Sequence, residues 1–420
     1  MIETSVLPCG IRLVTETMAD VRSVAIAYWV GTGSRDEPGE LAGASHFLEH
    51  LLFKGTEGRS AAAIAEQLDE VGGDCNAFTT KEYTTFYVRL LSEHLPLGLD
   101  ILSDIIWEPA LRPSDIDAER TVILDEILMH ADEPADLAAE RWQASMFPGH
   151  ALGRDTLGTS SSVRRITRDD IASFRARHYR PSNMVVSVAG DCTHEAVAAD
   201  LEFRFAGVRG GEVPERAAPG PDVVSLDVVR RPTEQAHLVY GARSVSRFDE
   251  RRWALSVLND VLGGGLSSRL FQKVREERGL AYSVWSERAA YADAGSLAVV
   301  VGTAPEHVDE VLRIVEGELE LLATEGVTDR ELAVAKGNLR AETLLAGEDS
   351  GARMSRIGAT LLLHGEVLTV EEVLARIDAV DRAHVLEVAA ELAQAPRTMS
   401  AVGPFDADVF ESHLPALAAR

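Results

Sequence analysis

His46-Phe47-Leu48-Glu49-His50 reads H-x-x-E-H, the reverse of the H-E-x-x-H metal signature. On a helix, positions 46 and 50 stand one turn apart on a single face, so two imidazoles can share one metal ion. Glu49 is placed to reach a water on that ion without being a ligand. An ion with three protein ligands and one water is the hydrolytic arrangement: the water becomes acidic near neutrality and a carboxylate takes its proton. The flanking residues agree with a helix. From Leu41 to Phe53 the apolar positions Ala44, Phe47, Leu48, Leu51 and Leu52 recur with helical spacing, and Gly55 is a plausible stop. With 12 histidines in 420 residues, chance supplies about 0.03 such pentapeptides. The match is informative, and a third ligand has to come from elsewhere.

A second helix is predicted over Pro113–Met129. Pro113 suits its first turn, Asp115 and Asp117 suit its positive end, and Ile116, Ile123, Leu124 and Ile127 make an apolar stripe. Glu119 and Glu126 lie two turns apart on the face bordering that stripe. Without a metal motif in the chain both would read as solvated glutamates.

His46, Glu49 and His50, followed 76 residues after His50 by Glu126 in Glu119-Arg120-Thr121-Val122-Ile123-Leu124-Asp125-Glu126-Ile127, resemble the pitrilysin/insulinase family of zinc peptidases. The branch is the one typified by mitochondrial processing peptidase and its bacterial relatives. The resemblance implies one zinc ion per chain held by His46, His50 and Glu126, with Glu49 as the water-activating base and Glu119 supporting a ligand from behind. Leu7-Pro8-Cys9-Gly10-Ile11-Arg12-Leu13-Val14 is similar to the family's first strand.

Two further segments carry the likeness. Asn76-Ala77-Phe78-Thr79 precedes the strand-like run Thr84–Leu90 after the Gly72-Gly73 break. In the family this segment is the edge on which a peptide substrate adds as an extra strand, binding through backbone groups whatever its side chains. Gly263-Gly264-Gly265-Leu266-Ser267-Ser268-Arg269 has no P-loop lysine and no complete dinucleotide fingerprint. What the resemblance implies instead lies just beyond: Arg275 and Tyr282, seven apart, holding the scissile carbonyl as charge develops on it.

Composition bounds the rest. A length of 420 residues is enough for two or three domains, and an apolar content of 46% supports sizeable cores. With 41 basic against 67 acidic residues the net charge is −26, which argues against nucleic acid and anionic membrane as partners. A sharper expectation is an acidic chamber that draws in basic peptides. The first residues form neither a signal peptide nor a transit sequence, and Cys9, Cys75 and Cys192 are widely spaced. Both point to a reduced, cytoplasmic protein.

An internal repeat predicts the architecture. Ser92-Glu93-His94 is echoed by Pro305-Glu306-His307 at an offset of 213, and Pro113-Ser114-Asp115 by Val327-Thr328-Asp329 at 214. The expected fold is α+β: an N-terminal zinc-bearing domain over 1–208, a Gly/Pro-rich linker over 209–234 (with Pro214, Pro219, Gly220, Pro221 and Pro232), and a C-terminal repeat over 235–420. At offset 213 the metal motif falls on Asn259, Leu262 and Gly263, so the second copy carries no site. The resemblance implies that such a chain forms half of a clamshell, completed as a homodimer around an unfolded or presequence-like peptide. Two other readings follow from the same residues: a non-catalytic scaffold or chaperone-like subunit, and a zinc amidase acting on a small substrate.

Overall fold

The computed structural model describes residues 1–213 and 215–414 of the chain. Pro214, within the expected linker, lies outside the described residues. The fold is α+β, with two mixed sheets, each covered by helices on both faces.

The first sheet contains β1 (Ile2–Val6), β2 (Arg12–Thr17), β3 (Ser23–Val30), β4 (Asp74–Thr79), β5 (Thr84–Leu91) and β6 (Met184–Gly190), in the order β1-β2-β6-β3-β5-β4. The second contains β7 (Ser225–Arg230), β8 (Ala236–Ser244), β9 (Ala281–Ala290), β10 (Gly295–Thr303) and β11 (Arg397–Gly403), in the order β7-β11-β8-β10-β9. The repeat is explicit in the pairing. β2 runs parallel to β6 as β7 does to β11, and the other neighbours are antiparallel in both sheets. Among the described residues, β1 is the one strand without a counterpart. It forms a hairpin with β2 around Pro8-Cys9-Gly10, so Leu7–Val14, read from sequence as one strand, straddles a turn.

β3 shows why each sheet is covered twice. Val24, Ile26 and Tyr28 pack beneath the helices Ala44–Leu52 and Leu95–Trp107, while Ala25, Ala27 and Trp29 form the core on the opposite face. Buried on both faces, the strand reads as a continuous apolar run. The cover on the second face comes from far along the chain. Met354, Ile357 and Leu361 of the helix Ser350–His364 pack on the small residues Ala25, Ala27 and Ala189. A Cβ on Gly358 would lie 2.1 Å from Trp29 Nε1, so glycine is what lets this helix approach. Arg353 and Arg356 close the contact on the buried Glu16 carboxylate at 2.7 and 3.2 Å.

The second unit makes the reciprocal arrangement. The helix Pro134–Met146 places Ala138, Trp142 and Met146 on Val239, Ala298 and Val402, and Trp142 Nε1 donates to the Thr398 carbonyl at 3.1 Å. The two compact units are therefore interleaved in sequence: Met1–Ile127, Arg154–Ala217 and Leu344–Leu368 form one, and the remaining segments form the other. This corrects the contiguous boundaries expected from sequence, because each repeat lends a helix to the other's sheet. The expected linker over 209–234 is corrected as well. Its first part is strapped to the first unit by Arg216, whose guanidinium grips Asp36 at 2.8 Å. Its second part contains the whole of β7.

Candidate metal centre

The motif helix spans Ala44–Leu52, with Phe47, Leu48, Leu51 and Leu52 in the core of the first unit. That burial fixes its rotation and leaves His46, Glu49 and His50 along one flank. Its N-terminus is held by a residue that sequence reasoning missed. Glu37, 4% exposed, accepts from the backbone N–H of Gly43 at 2.8 Å and of Ser45 at 2.7 Å. Those are orphan donors of the helix start, and a carboxylate there also suits the helix dipole. Burial pushes the Glu37 carboxyl up to about 7, against the opposing pull of these hydrogen bonds and of Arg154.

The predicted second helix runs over Pro113–Asp132. Arg120 locks it in place. Its guanidinium stacks over the Phe47 ring at 5.4 Å and donates to the carbonyls of Ile166 (2.8 Å) and Val163. With the rotation fixed, Glu119 and Glu126 both turn toward the histidines.

Glu126 Oε2 lies 3.7 Å from His46 Nε2 and 3.7 Å from His50 Nε2. The oxygen is buried and takes no hydrogen bond among the described residues. These separations are too long for hydrogen bonds. They are close to the roughly 3.4 Å between two ligands of a tetrahedral ion with bonds of about 2.1 Å. The two imidazole rings sit edge to face with centroids 4.5 Å apart. Among the described residues, His46, His50 and Glu126 are the one group of His, Cys, Asp and Glu whose ligand atoms converge this closely, all within 4.8 Å. Two nitrogens and one carboxylate oxygen suit zinc with an open fourth position.

The surroundings match a metal site too. His50 Nδ1 donates to Glu119 Oε2 at 3.0 Å, which turns Nε2 toward the cluster. The other oxygen of Glu119, itself 5% exposed, is paired with Lys54 Nζ at 2.7 Å. Lys54 was also missed. The available signal was its place four residues after His50, on the same helical side. Glu49 is not among the converging atoms. Its Oε2 accepts from Thr79 Oγ1 at 2.6 Å. Burial pushes the Glu49 carboxyl up, partly offset by that hydrogen bond and by His50.

The predicted docking segment is β4, an edge strand. Asn76 and Phe78 are exposed, whereas Ala77 and Thr79 are half-buried on the other side. Asn76 Oδ1 accepts from the Ala77 N–H at 2.8 Å, so a side chain covers one backbone donor of this edge. Arg275 and Tyr282 lie in the second unit. They are brought together there: the Arg275 guanidinium is 4.9 Å from the Tyr282 ring and 4.8 Å from the Phe271 ring. Tyr282 is 77% exposed, on the edge strand β9. His130 faces Asp136 at 3.8 Å.

Residues 12–160 match the pattern of "Insulinase (Peptidase family M16)", and residues 165–339 that of "Peptidase M16 inactive domain". An "uncharacterized zinc protease" of Streptomyces coelicolor is 43% identical over 411 residues, 96% of this chain and 90% of that protein. One from Bacillus subtilis is 37% identical over 399 residues, 94% and 96% of the two chains. The chain belongs to peptidase family M16. Among solved structures, an M16 inactive domain from Pseudomonas fluorescens superimposes with TM-score 0.90 at 21% identity, over 97% of this chain and 98% of that one. A protease from Helicobacter pylori gives 0.91 at 20%, over 96% and 99%. These two likenesses bear on the fold. The pattern called inactive covers 165–339, whereas His46, Glu49, His50 and Glu126 of this M16 chain lie outside it. No helix among the described residues is long and apolar enough to cross a membrane.

Proposed function

We propose that this M16 chain is a zinc-dependent endopeptidase acting on unfolded or presequence-like peptides. The observation that carries the reading is the convergence of His46 Nε2, His50 Nε2 and Glu126 Oε2, with Glu49 beside them but not among them. Zinc on these three ligands supplies Lewis-acid activation of a water and of the scissile carbonyl.

The chain's own residues do the rest. Glu119 holds His50 in the tautomer that presents Nε2. Glu49, whose carboxyl is pushed up by burial, takes the proton of the attacking water and passes it to the leaving amine. The peptide pairs with β4 as an added strand, displacing the Asn76 side chain from the Ala77 N–H. In a homodimer, Arg275 and Tyr282 contributed by the second copy serve the developing oxyanion. One ion per chain and pairing of two copies complete the reading.

A quenched unfolded peptide tests it. Cleavage should be abolished by a chelator and restored by zinc at one equivalent per chain. Zinc binding without turnover of any peptide would favour the scaffold reading. Turnover of small amides with no gain from peptide length would favour the amidase. Sedimentation reads the homodimer separately.

A further inference from the structure

We propose that Thr79 is a positioning residue for Glu49, whose hydroxyl decides which carboxylate oxygen acts as the base. The proposal rests on the metallopeptidase reading above.

The argument is one of proton counting. Thr79 Oγ1 stands 2.6 Å from Glu49 Oε2. An ionised carboxylate only accepts, so the single hydroxyl proton of Thr79 is the one in this bond. A second hydroxyl, Thr84 Oγ1, lies 3.3 Å from Thr79 Oγ1, opposite it in the β4–β5 register. Thr84 is fully buried and gives its own proton to the Thr32 carbonyl at 3.0 Å. It has no proton left to offer Thr79, and it fills the space behind it. The Thr79 proton therefore has one well-satisfied destination while Glu49 is charged.

This bond has two consequences. A hydrogen bond to an ionised acceptor is short and strong, and it lowers the basicity of the oxygen that receives it. Oε1 of Glu49 has no protein partner among the described residues, so it is the oxygen left to take the proton from water. The bond also restrains a flexible side chain. Glu49 projects from a helix flank, and Thr79 ties its far end to a strand. Thr79 is the last residue of β4, so this bond ties the base to the proposed docking edge. Sequence reasoning grouped Thr79 with Asn76, Ala77 and Phe78 as a peptide contact. Its hydroxyl, in addition, faces the Glu49 carboxylate.

Wild type, Thr79→Val and Thr79→Ser, all zinc-replete, are compared on a quenched peptide with zinc content measured, and each metal-free protein is crystallised. Valine keeps the shape and removes the hydroxyl. The expected result is a fall of about 10- to 100-fold in kcat for valine, with KM and zinc content within about twofold of wild type. Serine should recover kcat to within about threefold. In the crystals the Glu49 carboxylate should leave its wild-type rotamer in the valine variant and keep it in the serine variant. A valine variant with wild-type kcat, a loss confined to KM, failure of serine to rescue, or an unmoved Glu49 in the valine crystal would each overturn the proposal. A wild-type chain that binds zinc yet cleaves no peptide removes the peptidase reading and Thr79's role with it. The wild-type control distinguishes that failure from the others.

Discussion

The two units place a helix against an edge strand in the same way and use the space between them differently. In the first, the helix Ala44–Leu52 faces β4, and His46, Glu49 and His50 occupy the gap with Thr79 across from them. In the second, the corresponding positions are Asn259, Leu262 and Gly263, and the gap is closed. Ser286 of β9 donates its hydroxyl to the Asn259 carbonyl at 3.0 Å. A Cβ on Gly263 would come within 2.4 Å of the Ser286 backbone nitrogen. Leu262 is fully buried in the core of its unit. The fold thus tolerates either outcome at this place. In the second copy β9 packs directly on the segment that matches the motif and fills the space that the histidine rings take in the first.

The largest effects fall on this contrast. His50→Ala should abolish zinc binding, because it removes one of three ligands and leaves Glu126 without half of its partners. Asn259→Ala, a truncation at the position that matches His46 in the other copy, should leave metal content unchanged. Elemental analysis of purified protein reads both. If His50→Ala retained a full equivalent of zinc, the two helices would not differ in the way described. Next in size is Glu49→Gln. It should keep zinc and lose about 10²- to 10⁴-fold in kcat, the usual worth of a general base. Its counterpart, Leu262→Ala, should cost stability and leave the chemistry intact. Steady-state kinetics beside denaturant melts separates the two.

How much of this was legible in the sequence follows from the range of each interaction. His46, Glu49 and His50 are set by one helical turn, so their spacing announces them. Glu126 lies 76 residues further on. Only family resemblance reached it, since its approach depends on Arg120 docking on Phe47 and on two loop carbonyls. Thr79 and Glu37 act through side chains arriving from a strand and a loop, and no periodicity encodes such meetings, whereas Lys54 was marked only by its place one turn after His50. The repeat was legible as an offset and is borne out by strand order. Its boundaries were not. Gly358 against Trp29 and Trp142 on Thr398 are tertiary contacts that move a helix from each half onto the other's sheet. β7 was missed because six strand-forming residues sit between glycines and prolines that suggest a linker.

A third comparison concerns how the motif helix begins. Glu37 caps it from a fully buried site, whereas at the start of the helix Arg252–Asn259 in the other unit the half-buried Asp249 carboxylate accepts from the Arg251 N–H at 2.9 Å. The folded Glu37 carboxyl is raised to about 7 by desolvation. A group with a raised folded value favours the fold when protonated. Its contribution is complete below the ordinary carboxylate value near 4.5 and is lost as pH rises through about 7. The swing for a fully buried carboxyl is on the order of 3 kcal/mol. Urea melts of metal-free protein at pH 5 and pH 8 should show wild type losing stability across this interval and Glu37→Gln losing much less. Equal losses in the two proteins would mean that the carboxyl stays ionised beneath the helix.

Glu119 sharpens the contrast at the ligand itself. It fixes the His50 ring and is in turn fixed by Lys54. Glu119→Ala should weaken zinc affinity by about 10- to 100-fold, the typical effect of removing a ligand's supporting carboxylate. Competition with a chelating dye gives the number. An unchanged affinity would mean that the Nδ1 hydrogen bond does not orient the ring.

The smallest effect tests whether the second copy is closed by packing or is merely lacking histidines. Gly263 has φ −154° and so lies outside the left-handed region that favours glycine. The cost of Gly263→Ala is argued from contact. The new Cβ would meet the Ser286 backbone nitrogen at 2.4 Å and the Ser286 hydroxyl at 2.8 Å, so strand and helix have to part. Overpacking of that kind costs about 1–3 kcal/mol, readable as a lower denaturation midpoint with unchanged zinc content. For the same reason, installing histidines at 259 and 263 should not create a second zinc site, since the strand occupies the volume that the rings need. If Gly263→Ala were neutral in stability, the helix would have room to recede from β9. The two copies would then differ at this place in side chains only.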